Sequence, residues 1–140
     1  MNLVDAASLM GELADGISGA RAEVGLTERR HHNDAFLKLT SLSDPELYAI
    51  ISTNGSGTYG LEVTGGFCTG NTDDLSLDYK EVREYVESYV RAAIAYLDGH
   101  WSIRKSRVFK VPSLTIRTDA ARLNLALQGH WSTNDARQQF

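Results

Sequence analysis

Four short segments of this chain carry residue types that could do chemistry. The first, Gly55-Ser56-Gly57-Thr58-Tyr59-Gly60, fits the G-x-G-x-x-G pattern. In a dinucleotide fold that pattern must open a helix, whose N-terminus holds the pyrophosphate. The residues after it alternate as a strand does, so a glycine-rich hairpin is the better account. The second, Gly65 to Gly70, presents Cys68. A nucleophilic thiol needs a neighbouring base and a lowered pKa, and a buried, inert cysteine is the commoner outcome.

The third segment, His31-His32-Asn33-Asp34, offers metal-ligand types. Adjacent histidines rarely reach one ion from a loop, and no H-x-x-x-H spacing occurs. The fourth is the tetrapeptide Gly-His-Trp-Ser, present at 99–102 and again at 129–132. The segments around the two copies diverge, which argues for two strand-edge turns with aromatic anchors. The alternative is one shared pocket formed by His100, Trp101, His130 and Trp131, since tryptophan combines a large apolar surface with a polar handle. No nucleophile elbow, P-loop or zinc ribbon appears. No catalytic residue, metal ligand or cofactor is therefore assigned.

The elements that must position these residues follow from periodicity. Residues 3–17 place Leu3, Ala6, Ala7, Met10, Leu13, Ala14 and Ile17 on one helical face, and Gly16 and Gly19 end the pattern. A short strand is expected at 22–26, a polar loop at 27–33, and strands at 34–41, 47–53 and 58–64. Asn54-Gly55-Ser56-Gly57 joins the last two as a hairpin. Phe67-Cys68-Thr69 reads as irregular between glycines.

The second helix spans about 79–97. Asp78 and Glu81 form a capping-box pattern at its start, and Gly99 marks its end. Val82, Tyr85, Val86, Tyr89, Val90, Ala93, Ile94 and Leu97 form its apolar stripe. Strands are then expected near 101–103, at 108–111 up to Pro112, at 114–116 and at 123–127. This order predicts an α+β domain over 1–132: an antiparallel sheet packed by the 79–97 helix, with an N-terminal helix. Residues 133–140 are expected to form a flexible tail.

A chain of 140 residues with 42% hydrophobic and 23% charged content suits one globular domain. One cysteine, no signal-peptide pattern and no long apolar run lead to the expectation of a cytoplasmic protein away from membranes. A net charge of −4 argues against nucleic acid as the partner. The charge is unevenly spread. Residues 71–98 hold seven acids and three bases, whereas residues 99–122 hold six bases and one acid.

The passage Glu81-Val82-Arg83-Glu84-Tyr85-Val86-Glu87-Ser88-Tyr89, followed by Trp101-Ser102-Ile103-Arg104-Lys105-Ser106-Arg107, resembles actinobacterial immunity proteins that neutralise secreted NAD-hydrolysing toxins. The likeness covers about thirty residues and transfers no site residue. It implies a non-enzymatic inhibitor that blocks the active cleft of a partner protein, a bacterial toxin. The contact surface expected from the residues is the glycine-rich region with its acidic neighbour: Asn54, Gly55, Ser56, Gly57, Phe67, Asp73 and Asp74. Two alternatives stand beside it. One is a small-ligand domain or small enzyme with a cavity between helix and sheet. The other is a secretion chaperone or adaptor that binds through its sheet edge.

Overall fold

In the computed structural model, residues 2–29, 32–55, 57–72, 78–105 and 111–127 are described. The elements run α1 (Leu3–Asp15), β1 (Ala20–Arg29), β2 (His32–Ser41), β3 (Tyr48–Thr53), β4 (Thr58–Val63), β5 (Phe67–Thr72), α2 (Tyr79–Leu97), β6 (Trp101–Lys105), β7 (Pro112–Arg117) and β8 (Arg122–Leu127). The eight strands form one antiparallel sheet in the order β1-β2-β3-β4-β5-β8-β7-β6. The first five strands meander. Helix α2 then carries the chain across to the far edge, and β7 and β8 bring it back beside β5.

Strand periodicity decides which face is buried. Leu37, Ile51, Leu61 and Thr69 stand in one row across β2 to β5, and Leu39, Ala49, Val63 and Phe67 in the next. Leu127 and Leu125 continue this face on β8, and Leu114 and Ile116 on β7. Both helices pack against it. From α2, Val82, Val86, Tyr89, Val90, Ala93 and Tyr96 are buried, and from α1, Ala6, Leu9 and Met10. Ile94 is only half-buried, at the margin of the stripe. A stripe at helical spacing thus meets sheet residues of a single parity, and both bury their apolar surface in one core.

The ends of α2 are held as the residue types require. Asp78 accepts from the Glu81 N–H at 2.9 Å, while the Glu81 carboxylate accepts from the Asp78 N–H at 3.3 Å. At the other end Gly99 takes φ +88°. There His100 N–H donates to the Ala95 carbonyl and Gly99 N–H to that of Tyr96, which completes a Schellman cap. Arg83 pairs with Glu87 one turn along at 2.8 Å and reaches Glu12 of α1 at 3.5 Å.

Two expectations are corrected here. The polar stretch 27–33 is not all loop, because β1 extends to Arg29 and β2 starts at His32, paired with each other. Polar and charged types are poor strand signals, so composition hides the pairing. Phe67-Cys68-Thr69 is not irregular but opens β5, which is paired residue by residue with β4. Gly65 and Gly66 make the turn at positive φ (+89° and +84°). Gly70 lies inside the strand because a Cβ there would meet the Tyr59 carbonyl oxygen at 2.9 Å. The expected strand at 108–111 falls largely outside the described residues, as does the tail at 133–140.

Two glycine substitutions should therefore act in opposite directions. Gly70→Ala pushes a methyl against backbone and should cost about 1–3 kcal/mol. Gly11→Ala, inside α1 where a Cβ meets nothing within 4 Å, should stabilise by roughly 0.5–1 kcal/mol. Denaturant unfolding of both variants checks this; a stabilised Gly70→Ala would contradict the packing described.

Candidate functional site

The other parity of the same strands makes the second face of the sheet. Because the strands pair in register, one row crosses all eight: Glu23, Lys38, Ile50, Glu62, Cys68, Ala126, Ser113 and Arg104. A neighbouring row holds Gly25, Phe36, Ser52, Gly60 and Gly70. Among the described residues neither helix covers this face, since both bury their stripes on the opposite one.

The open face is not uniformly polar. Phe36, Tyr48 and Ile50 are half-buried in its β2–β3 region. The Phe36 ring lies across Gly25, whose missing Cβ would stand 2.9 Å from it. A cross-strand aromatic of this kind shields the backbone that a strand glycine exposes. Lys38 sits with its ammonium 5.3 Å from the centre of the Tyr48 ring, within cation–π range. At the β1 margin Arg21 pairs with Glu23, and that hydrogen bond and charge hold the Glu23 carboxyl below its ordinary range. The result is an aromatic and aliphatic centre with charged groups of both signs around it.

Tyr48 reports on this environment. Burial is the main cause that raises its phenol pKa above the ordinary 10.0, and the Glu62 carboxylate adds to the shift by charge and hydrogen bonding. Both favour the neutral phenol.

The candidate residues read from sequence fall in several places. Asn54 closes the β3–β4 turn: its side-chain oxygen accepts from the N–H groups of Gly57 and Thr58, both at 3.1 Å. Gly55, at φ +85°, donates its N–H to Thr53 Oγ1 at 3.0 Å. Gly55 and Gly57 are buried. The second half of the glycine motif, Thr58 to Gly60, is already strand β4. Phe67 is only 7% exposed and belongs to the core, where β5 points it toward the helices beside Val63 and Leu127. The sequence reading placed it in the contact surface, whereas here it faces the helices. Cys68, next along, is half-buried on the open face between Glu62 and Ala126.

His100 is exposed where α2 passes into β6, while Trp101 is half-buried with its ring 5.3 Å from that of Tyr96. Trp101 is thus an anchor onto α2. Ser56, Asp73, Asp74, His130 and Trp131 lie outside the described residues, as does His31. Among the described residues no three His, Cys, Asp or Glu side chains cluster as a metal site, and no helix is long and apolar enough to cross a membrane.

Sequence reasoning missed Phe36, Tyr48 and Ile50 as surface residues. Their alternation with Leu37, Ala49 and Ile51 was visible, but which parity the helices cover is a tertiary fact. No protein-family model, curated protein or solved structure matches the chain.

Replacing Glu62 by Gln should lower the Tyr48 pKa while leaving it above its ordinary value, because burial remains. Ultraviolet or NMR titration of the phenol reads this. An unchanged Tyr48 titration would show that the Glu62 charge does not reach it.

Proposed function

We propose that the protein is a non-enzymatic binding protein of the immunity or antitoxin kind, and that it silences a bacterial toxin by covering its active cleft with the open face of the sheet. The observation that carries this reading is the one-sided packing. Both helices lie on one face, and the other leaves Phe36, Tyr48 and Ile50 half-exposed among Lys38, Glu62 and Glu23. Productive interfaces combine an aromatic and apolar centre with a polar rim. A platform pinned by cross-strand register on both sides loses little freedom when a partner lands, which lowers the cost of association.

The likeness of 81–107 to immunity proteins against NAD-hydrolysing toxins supports this class and suggests the kind of target. The acidic pair Asp73 and Asp74 would follow β5 in the chain and suit a positively charged nucleotide cleft. A blocker has no turnover, so its action must be stoichiometric.

The test is a titration of a secreted NAD-hydrolysing toxin with purified protein. Activity should fall linearly to an endpoint at one equivalent. Ile50→Lys, which places a charge at the apolar centre, should weaken binding at least about tenfold, or roughly 1.4 kcal/mol, with unchanged thermal unfolding. An Ile50→Lys variant that titrates like the wild type would remove the open face as the contact surface. Turnover of a small substrate by the protein itself would overturn the inhibitor class.

A further inference from the structure

The two edges of the sheet are finished differently. Edge strand β6 has five residues, and its exposed side chains include Arg104 and Lys105. Short length and charge are what natural proteins use to keep an edge from pairing. Edge strand β1 is long, and two of its charges, Arg21 and Glu23, are paired with each other. It is ten residues long, contains no proline or lysine, and pairs with β2 at every position without a bulge.

The direction of its free groups follows from one hydrogen bond. The register continues from Ala20 opposite Ser41 to Gly19 opposite Leu42, and Leu42 N–H donates to the Gly19 carbonyl at 3.2 Å. Antiparallel pairs alternate between hydrogen-bonded and non-hydrogen-bonded. Odd-numbered residues of β1 therefore bond to β2, and Ala20, Ala22, Val24 and Leu26 turn their N–H and C=O groups outward. The side chains of these same residues continue the helix-covered face, since Val24 stands opposite Leu37 and Leu26 opposite Ala35. Leu37 and Ala35 are fully buried, yet Val24 is 40% and Leu26 56% exposed. The apolar rows of the core thus run to this edge and stop uncovered.

We infer that the occupant of this edge is a second copy of the chain, paired β1 to β1 antiparallel about a two-fold axis at Val24. With outward-facing residues bonded to each other, Val24 meets its own symmetry mate and Ala22 meets Leu26. The apolar rows then cross the junction without a break. On the open face Glu23 stands opposite Gly25 and Arg21 opposite Thr27, with no like charges directly paired. The neighbouring registers are worse: moving the centre to Glu23 sets two glutamates opposite one another, and moving it to Gly25 sets Arg21 opposite Arg29. Like charges directly opposite are destabilising. The axis runs through the sheet, so both open faces end on the same side and stay uncovered. The inference is independent of the toxin reading.

Sedimentation velocity over a concentration series tests it. Wild type should pass from monomer to dimer, whereas Val24→Lys and Val24→Glu should each remain monomeric where wild type is dimeric. An equimolar mixture of these two variants should regain the dimer, because the two-fold places Lys opposite Glu. Circular dichroism confirms their folding, and Leu26→Lys, at a still more exposed position, provides a second disruptive variant. Wild type that stays monomeric throughout, a dimeric Val24→Lys, or a mixture that fails to dimerise would each overturn the proposal. A monomeric wild type whose Val24→Lys variant loses toxin binding would overturn it too, and would show that the edge takes a partner's strand.

Discussion

Everything in this fold depends on α2 meeting sheet residues of one parity. The helix presents Val82, Val86, Val90 and Ala93 along one stripe, and the sheet answers with Leu61, Ile51 and Leu114 from strands far apart in sequence. A slip of one residue in any strand would turn its entire apolar set away from α2. The register is therefore enforced by burial across the whole sheet, from β2 to β7. The same constraint creates the open face, because the residues that alternate with the core must point the other way.

That division of labour accounts for where polar chemistry sits. In the β3–β4 turn Asn54 accepts from Gly57 and Thr58 N–H and Thr53 from Gly55 N–H, and Trp101 is held against Tyr96. What remains outward is a broad surface with Phe36, Tyr48 and Ile50 at its centre and paired or isolated charges around it. In the proposed function this is the surface that meets the partner, with an apolar centre and a polar rim.

Much of this was legible from residue types alone. Helix α2 announced itself through its stripe, through Asp78 and Glu81 at one end, and through Gly99 at the other. The β3–β4 hairpin followed from Asn54-Gly55-Ser56-Gly57. Strands β1 and β5 were less legible for definite physical reasons. The stretch 27–33 that joins β1 to β2 is polar throughout, so its sequence carries no apolar alternation. In β5, Gly70 is required by close backbone approach to Tyr59, and a glycine of that kind cannot be told from a loop glycine along the chain. That Phe67 packs in the core was hidden for the same reason: it required knowing that a strand starts there. The candidate surface was legible only as alternation, since the covered parity depends on which way two distant helices pack.

We propose the open face as the working surface. Hydroxyl-radical footprinting of Phe36 and Tyr48, with and without the toxin, addresses it most directly. Both rings should be labelled in the free protein and protected in the complex, while Tyr96, buried against Trp101 on the helix side, should be unreactive in both. Equal labelling of Phe36 and Tyr48 in the free and bound protein would contradict it.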